Sequence, residues 1–299
     1  MNPHEQRITI SIASGKGGTG KTTVAVNMAL SLEEHVQLLD CDVEEPNAHI
    51  FIRPQIDEVK PVYLPMPKID ERLCDHCGRC SEFCEFHAIS VVGNKAIVFP
   101  ELCHGCGGCV LVCPKKAIVE ENRQVGIVKK GTMAGVELVY GELNVGEPMP
   151  VPVIRAVKMS IDPNKTTIVD APPGTSCPVI ESVRGSDYCP LVSEPTPFGL
   201  HDLKLMVEVL KEIKIPFGVV VNRAGTGDSR IYDYCEAENI PILLEIPLDR
   251  RIAELYSRGI PFATEISGWK NRFRSLFSSV MEKASVSTAS GSHKGFVKE

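Results

Sequence analysis

The stretch Gly15-Lys16-Gly17-Gly18-Thr19-Gly20-Lys21-Thr22 decides the fold of this 299-residue chain, because it fits the phosphate-loop pattern G-x-x-x-x-G-K-(S/T) without a mismatch. Its glycines let backbone N–H groups turn toward one point, Lys21 supplies a positive charge to the β and γ phosphates, and Thr22 offers a hydroxyl to Mg2+. Residues 8–13 are a run rich in β-branched side chains and predict a buried strand before the loop. Residues 23–32 predict a helix after it. The loop therefore lies at a helix N-terminus, where the helix dipole favours phosphate. A glycine-rich turn without a ligand is the alternative, and these flanking elements argue against it.

Length, charge and cysteine content bound the class of protein. A chain of 299 residues has room for one large α/β domain and a smaller one. The net charge of -6 gives no sign of a nucleic-acid partner. Residues 1–7 are polar and no apolar run reaches the length of a membrane span, so we expect a cytoplasmic protein. Twelve cysteines in a reducing compartment indicate metal binding rather than disulfides.

Eight of the cysteines form two repeats of the spacing C-x2-C-x2-C-x3-C, which is the bacterial ferredoxin pattern. In that pattern three cysteines of one repeat and the fourth of the other bind each 4Fe-4S cluster. Zinc is the alternative, but zinc sites use two close pairs far apart rather than four cysteines within eleven residues, twice. The first repeat departs from the pattern, because Glu85 stands where a proline is usual. The expected ligands are Cys74, Cys77, Cys80 and Cys113 for the first cluster, and Cys84, Cys103, Cys106 and Cys109 for the second.

Carboxylates follow two predicted strands. Asp40 and Asp42 end the strand predicted at residues 36–42, and period two places them on one side of it. Asp42 can orient a water molecule or a ligand of Mg2+, although a structural cap is the alternative for it and even more so for Asp40. Asp170 ends the strand predicted at residues 166–170, where we expect it to hold a water of Mg2+, with the Gly174 N–H at the γ phosphate.

The rest of the chain alternates strands and helices as a doubly wound, mainly parallel α/β sheet does. We predict strands at residues 188–192, 217–222 and 242–246, with helices at 199–213 and 229–239. Asn222, Pro247 and Asp249 follow the last two strands, where a nucleotide base would lie. A turn residue is the alternative for Asn222, and a helix cap for Asp249.

The predicted organisation has four parts. Residues 1–60 and 123–284 form the phosphate-loop ATPase domain, residues 61–122 form an inserted α+β ferredoxin-like domain, and residues 285–299 form a disordered tail. The last predicted helix, residues 269–283, is both amphipathic and basic. We expect it to pack on the sheet, although a membrane-surface role is the alternative.

Lys16, a second lysine directly after the first glycine, makes the chain resemble the deviant Walker A family. That family includes MinD and ParA, the nitrogenase iron protein and the Mrp-type cluster carriers. The resemblance implies that Lys16 reaches across a homodimer to the partner's phosphates, that Asp42 positions the attacking water, and that Asn222 binds adenine. A solvated lysine is the alternative for Lys16. The nucleotide-binding residues implied by the loop and the resemblance are Gly15, Lys16, Gly17, Gly18, Thr19, Gly20, Lys21, Thr22, Thr23, Gly174, Asn222, Pro247 and Asp249, with Lys16, Lys21 and Asp42 catalytic and Thr22, Asp42 and Asp170 at Mg2+.

The chain therefore looks like a MinD/Mrp-type ATPase that carries a two-cluster ferredoxin. We expect a homodimer that hydrolyses ATP and couples nucleotide state to electron transfer through the clusters. The alternative is an ATPase that assembles or carries iron-sulfur cofactors for a client protein, and a positioning ATPase is the third hypothesis. Cluster carriers have a C-x2-C pair near the carboxyl end, and since no such pair follows Cys113, electron transfer is favoured. Cys177, seven residues after Asp170, resembles the cysteine that binds a shared cluster in the nitrogenase iron protein, with a buried or switch-packing thiol as the alternative.

Overall fold

The computed structural model describes residues 7–32 and 35–290. These two stretches contain eleven β-strands, eleven α-helices and a 3-10 turn at Pro100–Leu102. The strands are β1 (Thr9–Ile12), β2 (Val36–Asp40), β3 (Gln55–Ile69), β4 (Ile89–Val92), β5 (Lys95–Val98), β6 (Ile118–Met133), β7 (Val136–Leu143), β8 (Thr166–Asp170), β9 (Cys189–Ser193), β10 (Phe217–Ala224) and β11 (Ile242–Pro247). The helices are α1 (Lys21–Leu32), α2 (Ala48–Ile52), α3 (Arg79–Phe83), α4 (Gly108–Val112), α5 (Val151–Lys158), α6 (Cys177–Val183), α7 (Pro197–Glu212), α8 (Arg230–Ala237), α9 (Arg250–Ser257), α10 (Phe262–Glu265) and α11 (Trp269–Ser290).

A mainly parallel sheet forms the centre of the molecule. Six strands lie in the order β1-β8-β2-β7-β6-β3, and three more lie in the order β11-β10-β9. Parallel bridges from Ile10 to Tyr188 and from Ala13 to Leu191 join β1 to the second group. In these two groups only β6 runs opposite to the other strands, and it pairs antiparallel with β7 on one side and with β3 on the other. The predicted α/β fold with a mainly parallel sheet is confirmed.

Hydrophobic cores lie on both faces of this sheet, as successive residues of a strand point to opposite sides. Val220 of β10 is buried in the core that α1 and α11 cover, whereas its neighbours Val219 and Val221 are buried in the core that α6, α7 and α8 cover. Covering both faces makes every central strand apolar along its length, which explains the continuous hydrophobic runs of the sequence.

The last helix packs into the first core, as predicted. Trp269, Phe273, Leu276 and Val280 of α11 are all buried there beside α1. Helix α11 continues to Ser290, so residues 285–290, which we predicted to be disordered, are helical. Residues 291–299 of the predicted tail lie outside the described residues. Over the part of the chain that the structure describes, no helix has the length and apolar character needed to cross a membrane.

Strands β3 and β6 pair along their whole length, from Gln55 opposite Thr132 to Ile69 opposite Ile118. The first half of β3 and the second half of β6 belong to the central sheet, and their other halves extend past the end of β7 as a two-stranded ribbon. The domain boundaries predicted near residues 61 and 122 therefore fall inside continuous strands rather than in linkers. The insert is joined to the ATPase by the sheet itself.

The insert at the end of this ribbon is built from two similar halves. Each half places a one-turn helix, α3 or α4, among its cysteines, and the hairpin of β4 and β5 lies between them. Gly78 and Gly107, which precede these helices, have nearly the same φ and ψ, at 78° and -10° against 72° and -6°. Cys84 and Cys113, which follow the helices, are also alike, at -78° and 98° against -74° and 109°. The repeat of the sequence is thus a repeat of the backbone.

Candidate functional site

The phosphate loop lies between β1 and α1, and its path requires glycine at several positions. Gly18 and Gly20 have φ values of 75° and 98°, in the left-handed region that glycine adopts without steric cost. A methyl group at Gly15 would collide with the backbone carbonyl of Asp202 in α7. Lys21, the first residue of α1, is buried and lines the cleft beside the loop. The loop has the concave, N–H-lined form that binds phosphate.

Asn222, at the end of β10, is hydrogen-bonded to the phosphate loop. Its Nδ2 donates to the carbonyl of Thr19 at 2.7 Å, and its Oδ1 accepts the N–H of Arg223 at 2.9 Å. A methyl group at Gly20 would collide with this same amide. Asn222 lines the cleft and has a structural role in holding the loop, and its role toward adenine stays a prediction.

Lys16 lies at the outer side of the loop and faces a buried carboxylate. Its Nζ is 4.0 Å from Oε2 of Glu194, whose other oxygen is 3.0 Å from Arg223. The Glu194 side chain is only 8% exposed, whereas that of Lys16 is 32% exposed. Glu194 was not identified from the sequence, although a charged residue directly after the apolar strand β9 is a usable signal.

Asp170 ends β8 beneath the loop and is fully buried. Within the described residues neither of its carboxylate oxygens has a hydrogen-bond partner. Burial raises the pKa of Asp170 well above its ordinary value, the nearby Asp40 raises it further, and Lys21 and the nearby Thr22 hydroxyl oppose the rise. A buried carboxylate without hydrogen-bond partners, beside a threonine hydroxyl, fits a site for Mg2+.

Asp40 and Asp42 have different environments although they are two residues apart. Asp40 is fully buried and accepts three backbone N–H bonds of 2.9–3.0 Å, from Asp42, Asn47 and Ala48. Asp40 therefore fixes the segment that leads into α2. This is the structural cap role that we considered as the alternative for Asp40. Asp42 lines the cleft, and burial followed by the charge of Asp40 raises its pKa to about 6.

Two predicted residues at the edge of the site make bonds within the protein. The Gly174 N–H donates to the carbonyl of Ser14 at 3.1 Å, so it is not directed at a phosphate in this conformation. Asp249 accepts the N–H of Arg251 at 2.7 Å and caps α9, which is the alternative role considered for it.

The predicted residues on the phosphate and base sides meet at one cleft of about 420 Å3. Asn47, Arg223 and Tyr256 also line it and were not identified from the sequence. Arg223 had a usable signal as the neighbour of Asn222, whereas Tyr256 belongs to an exposed helix and had none. The predicted residues that line the cleft are Gly17, Gly18, Gly20, Lys21, Thr22, Thr23, Asp42, Asn222, Pro247 and Asp249.

The eight repeat cysteines line two separate cavities in the insert, divided as the ferredoxin pattern predicts. The first cavity, of about 20 Å3, lies at the far end of the ribbon against Ile69 and Ile118. The second, of about 300 Å3, lies nearer the central sheet against Pro65 and Pro67. The first is lined by Cys74, Cys77, Cys80 and Cys113, and the second by Cys84, Cys103, Cys106 and Cys109.

The chemistry of these thiols fits iron-sulfur clusters. Backbone N–H groups already point at sulfur, from Ala88 to Cys84 and from Ala117 to Cys113, each at 3.3 Å. Burial, and then the neighbouring Cys103, raise the pKa of Cys109 to about 11, so its thiolate needs a bound cation.

The spacing of the cysteines distinguishes an iron-sulfur cluster site from a zinc site. Within the described residues, no three or more His, Cys, Asp or Glu side chains converge on a point that could hold one metal ion. Tetrahedral zinc needs four ligands at about 2.0–2.3 Å from one ion, whereas a 4Fe-4S cluster spreads its thiolates over four irons. Four cysteines within eleven residues, repeated twice, have the spacing of cluster ligands.

The other four cysteines do not join these sets. Cys41, Cys189 and Cys235 are buried. Cys177 is exposed at the start of α6, so the buried form of its alternative is wrong, and the switch-packing form stays a prediction.

Comparison with known proteins identifies the family. The model described as the CobQ/CobB/MinD/ParA nucleotide binding domain matches residues 10–262. The chain belongs to this family. An uncharacterized protein of Methanocaldococcus jannaschii is 30% identical over 263 residues, which cover 86% of this chain and 92% of the relative. The iron-sulfur cluster carrier protein of the same organism is 22% identical over 297 residues, covering 92% of this chain and 84% of the relative.

Among solved structures, the septum site-determining protein MinD of Pyrococcus horikoshii, in complex with Mg-ADP, has a similar fold. The TM-score is 0.59 at 19% identity, and the match covers 94% of this chain and 99% of that one. As a member of the CobQ/CobB/MinD/ParA family, the chain has a phosphate-loop ATPase fold, which agrees with the cleft described above.

Proposed function

We propose that this protein is an ATPase that assembles or carries iron-sulfur clusters, acting as a homodimer with ATP, Mg2+ and two 4Fe-4S clusters in its insert. The observation that carries the proposal is the continuity of β3 and β6. One end of these strands belongs to the sheet of the ATPase, and the other holds both cysteine-lined cavities. The relatives named iron-sulfur cluster carriers support it, since one of them aligns with 92% of this chain.

The nucleotide would be held by the residues of the cleft. Lys21 and the loop N–H groups bind the phosphates, and Thr22 with the buried Asp170 holds Mg2+, which neutralises charge on the phosphates. Asp42 orients the attacking water. Lys16 lies outside this cleft, near Glu194, which is compatible with a role toward the phosphates of a second copy.

Cluster handling replaces electron transfer as the first hypothesis. The sequence favoured electron transfer because no C-x2-C pair follows Cys113, but the named relatives are cluster carriers, and the insert supplies cysteine sets of its own. Electron transfer remains the second candidate, because two cavities on one ribbon are also the arrangement of a two-cluster electron carrier.

The test is cluster transfer under anaerobic conditions. Protein loaded with 57Fe and sulfide is mixed with an apo-ferredoxin of the 4Fe-4S type, with Mg-ATP or Mg-ADP, and the 57Fe on each protein is measured after separation. We expect transfer that is faster with Mg-ATP, and no ATP effect in the Lys21→Ala variant. Retention of all iron under every condition, together with rapid reduction of a redox dye by the loaded protein, would favour electron transfer instead.

A further inference from the structure

The two cysteine sets are equivalent in backbone but not in their surroundings. The glycines before α3 and α4 and the cysteines after them have matching conformations, so the differences between the sets are sought in the surrounding side chains and in the position of each set. Each set combines three cysteines of one repeat with the fourth of the other. A contact between the two repeats therefore holds the fourth cysteine of each set beside the other three.

At the first set this contact is an ion pair. Asp75, directly after Cys74, lies 3.8 Å from Lys115, which is two residues after Cys113. Asp75 also accepts the N–H of Cys77 at 3.3 Å, so the carboxylate ties three parts of the first set together.

At the second set the equivalent residues are aromatic. His104, directly after Cys103, stacks on Phe86, which is two residues after Cys84, with ring centroids 3.6 Å apart and an interplanar angle of 11°. No hydrogen bond from either side chain to the set is seen in the described residues. The stacked rings cover the set without anchoring its ligands.

The cavities and their positions differ as well. The second cavity has about 300 Å3 against about 20 Å3 for the first. Cys84 and Cys103 pack in a hydrophobic cluster with Leu39 and Val43, which flank the carboxylates Asp40 and Asp42 of the nucleotide site. One hydrophobic cluster therefore connects the nucleotide site with the second set, whereas the first set lies at the far end of the ribbon.

We propose that the second set, Cys84, Cys103, Cys106 and Cys109, is the exchange site, from which a cluster passes to an acceptor protein with free cysteine thiols, while the first set retains its cluster. This inference rests on the proposed function. The exchange is a ligand substitution: four bonds from iron to the donor thiolates break and four to acceptor thiolates form. The acceptor thiols release four protons, the vacated cysteines take up four, and no electrons are gained or lost.

The test compares two proteins that each keep one set. Cys77→Ser with Cys80→Ser removes the first set, and Cys106→Ser with Cys109→Ser removes the second at the equivalent positions. Both are loaded anaerobically to about four irons per chain, and iron loss to bathophenanthroline disulfonate is followed by absorbance. We expect the protein that keeps the second set to lose iron at least about tenfold faster, the scale on which outer contacts change metal affinity. Equal rates, or faster loss from the first set, would overturn the proposal.

Exchanging the contact between the two repeats tests whether that contact causes the difference in iron loss. In the protein that keeps the second set, His104→Asp with Phe86→Lys copies the ion pair of the first, and we expect slower iron loss. An unchanged rate would show that the contact between the repeats does not control iron loss. The chelator assay needs neither ATP nor an acceptor, so it decides this inference even if the loaded wild-type protein transfers nothing to apo-ferredoxin and the proposed function fails.

Discussion

Asn222 donates a hydrogen bond of 2.7 Å to the carbonyl of Thr19, and this bond fixes the end of β10 to the phosphate loop. Each polar group of its amide makes one hydrogen bond within the protein, since Oδ1 accepts the Arg223 N–H, and one N–H and one lone pair remain. Asn222 therefore supports the loop that binds phosphate, while its role toward adenine stays a prediction.

We expect Asn222→Ala to weaken the binding of ATP and GTP by the same factor. Loss of the bond leaves the Thr19 carbonyl unsatisfied, at a cost of about 1–3 kcal/mol, which corresponds to roughly fivefold to 150-fold in affinity. Calorimetric titration with both nucleotides measures it. A selective loss for ATP, with GTP binding unchanged, would instead show that Asn222 reads adenine.

The two lysines of the loop should separate binding from hydrolysis. Lys21 lines the cleft, so Lys21→Ala should abolish ATP binding. Lys16 faces Glu194 outside the cleft, so Lys16→Ala should leave binding nearly intact but suppress hydrolysis and ATP-dependent dimerisation. Equilibrium binding, phosphate release and sedimentation measure the three properties. Equal loss of binding in both variants would contradict a role for Lys16 in a second copy.

Asp170 should make the nucleotide-free protein less stable at high pH. Its pKa is raised above the ordinary value by burial and by Asp40, so its contribution to stability is present below the ordinary pKa and is lost as pH rises through the folded pKa. Without Mg2+, Asp170→Asn should therefore raise the melting temperature most near pH 8, and this gain should shrink toward about pH 5. Thermal unfolding at several pH values tests the sign.

The same variant tests the site for Mg2+. Mg-ATP should stabilise the wild-type protein by mass action, whereas Asp170→Asn should lose most of this gain. A variant that gains as much from Mg-ATP as the wild type would remove Asp170 from the metal site.

The sequence predicted the sites whose chemistry depends on local spacing. The loop from Gly15 to Thr22, the strand-end Asp42 and Asp170, and the membership of each cysteine cavity all follow from patterns of a few residues. The bonds of Asp40, Asn222 and Gly174 could not be predicted, because their partners are set by how distant segments pack.

Strand β3 shows a second limit of sequence patterns. Pro61, Pro65 and Pro67 argue against a strand, and charged residues 57, 58 and 60 suggest a loop. β3 is an edge strand, where a residue without an N–H is tolerated if it points away from the partner. The alternate spacing of these prolines is consistent with that arrangement. The ribbon and the true attachment of the insert were missed for this reason.

Metal content tests the insert directly. Protein prepared anaerobically should contain about eight irons and about eight sulfides per chain, since each cysteine set has the ligands of one cubane. Elemental analysis with sulfide determination measures this. Stoichiometric zinc in the same preparation would contradict the cluster assignment.

The last prediction concerns coupling between the nucleotide and the clusters. Asp40 holds the N–H groups of Asn47 and Ala48, and His49, the next residue, stacks on Tyr140 of β7 with ring centroids 5.1 Å apart. β7 pairs with β6, which continues into the insert. A contiguous set of contacts therefore links the cleft to the cysteine cavities.

Thermodynamic linkage makes any such coupling reciprocal: a shift in cluster potential on binding ATP must equal the change in ATP affinity on reduction. For a one-electron couple, a tenfold change in affinity corresponds to about 59 mV. We would measure ATP affinity in the oxidised and reduced protein, using Asp42→Asn to slow hydrolysis and His49→Ala to interrupt the contact with Tyr140. If ATP tunes the clusters by this route, the two affinities differ and His49→Ala reduces the difference. Identical affinities in both redox states would mean that ATP does not alter the cluster potential. ATP would then act only on access to the clusters. That result would favour the cluster carrier over an electron donor whose potential ATP tunes.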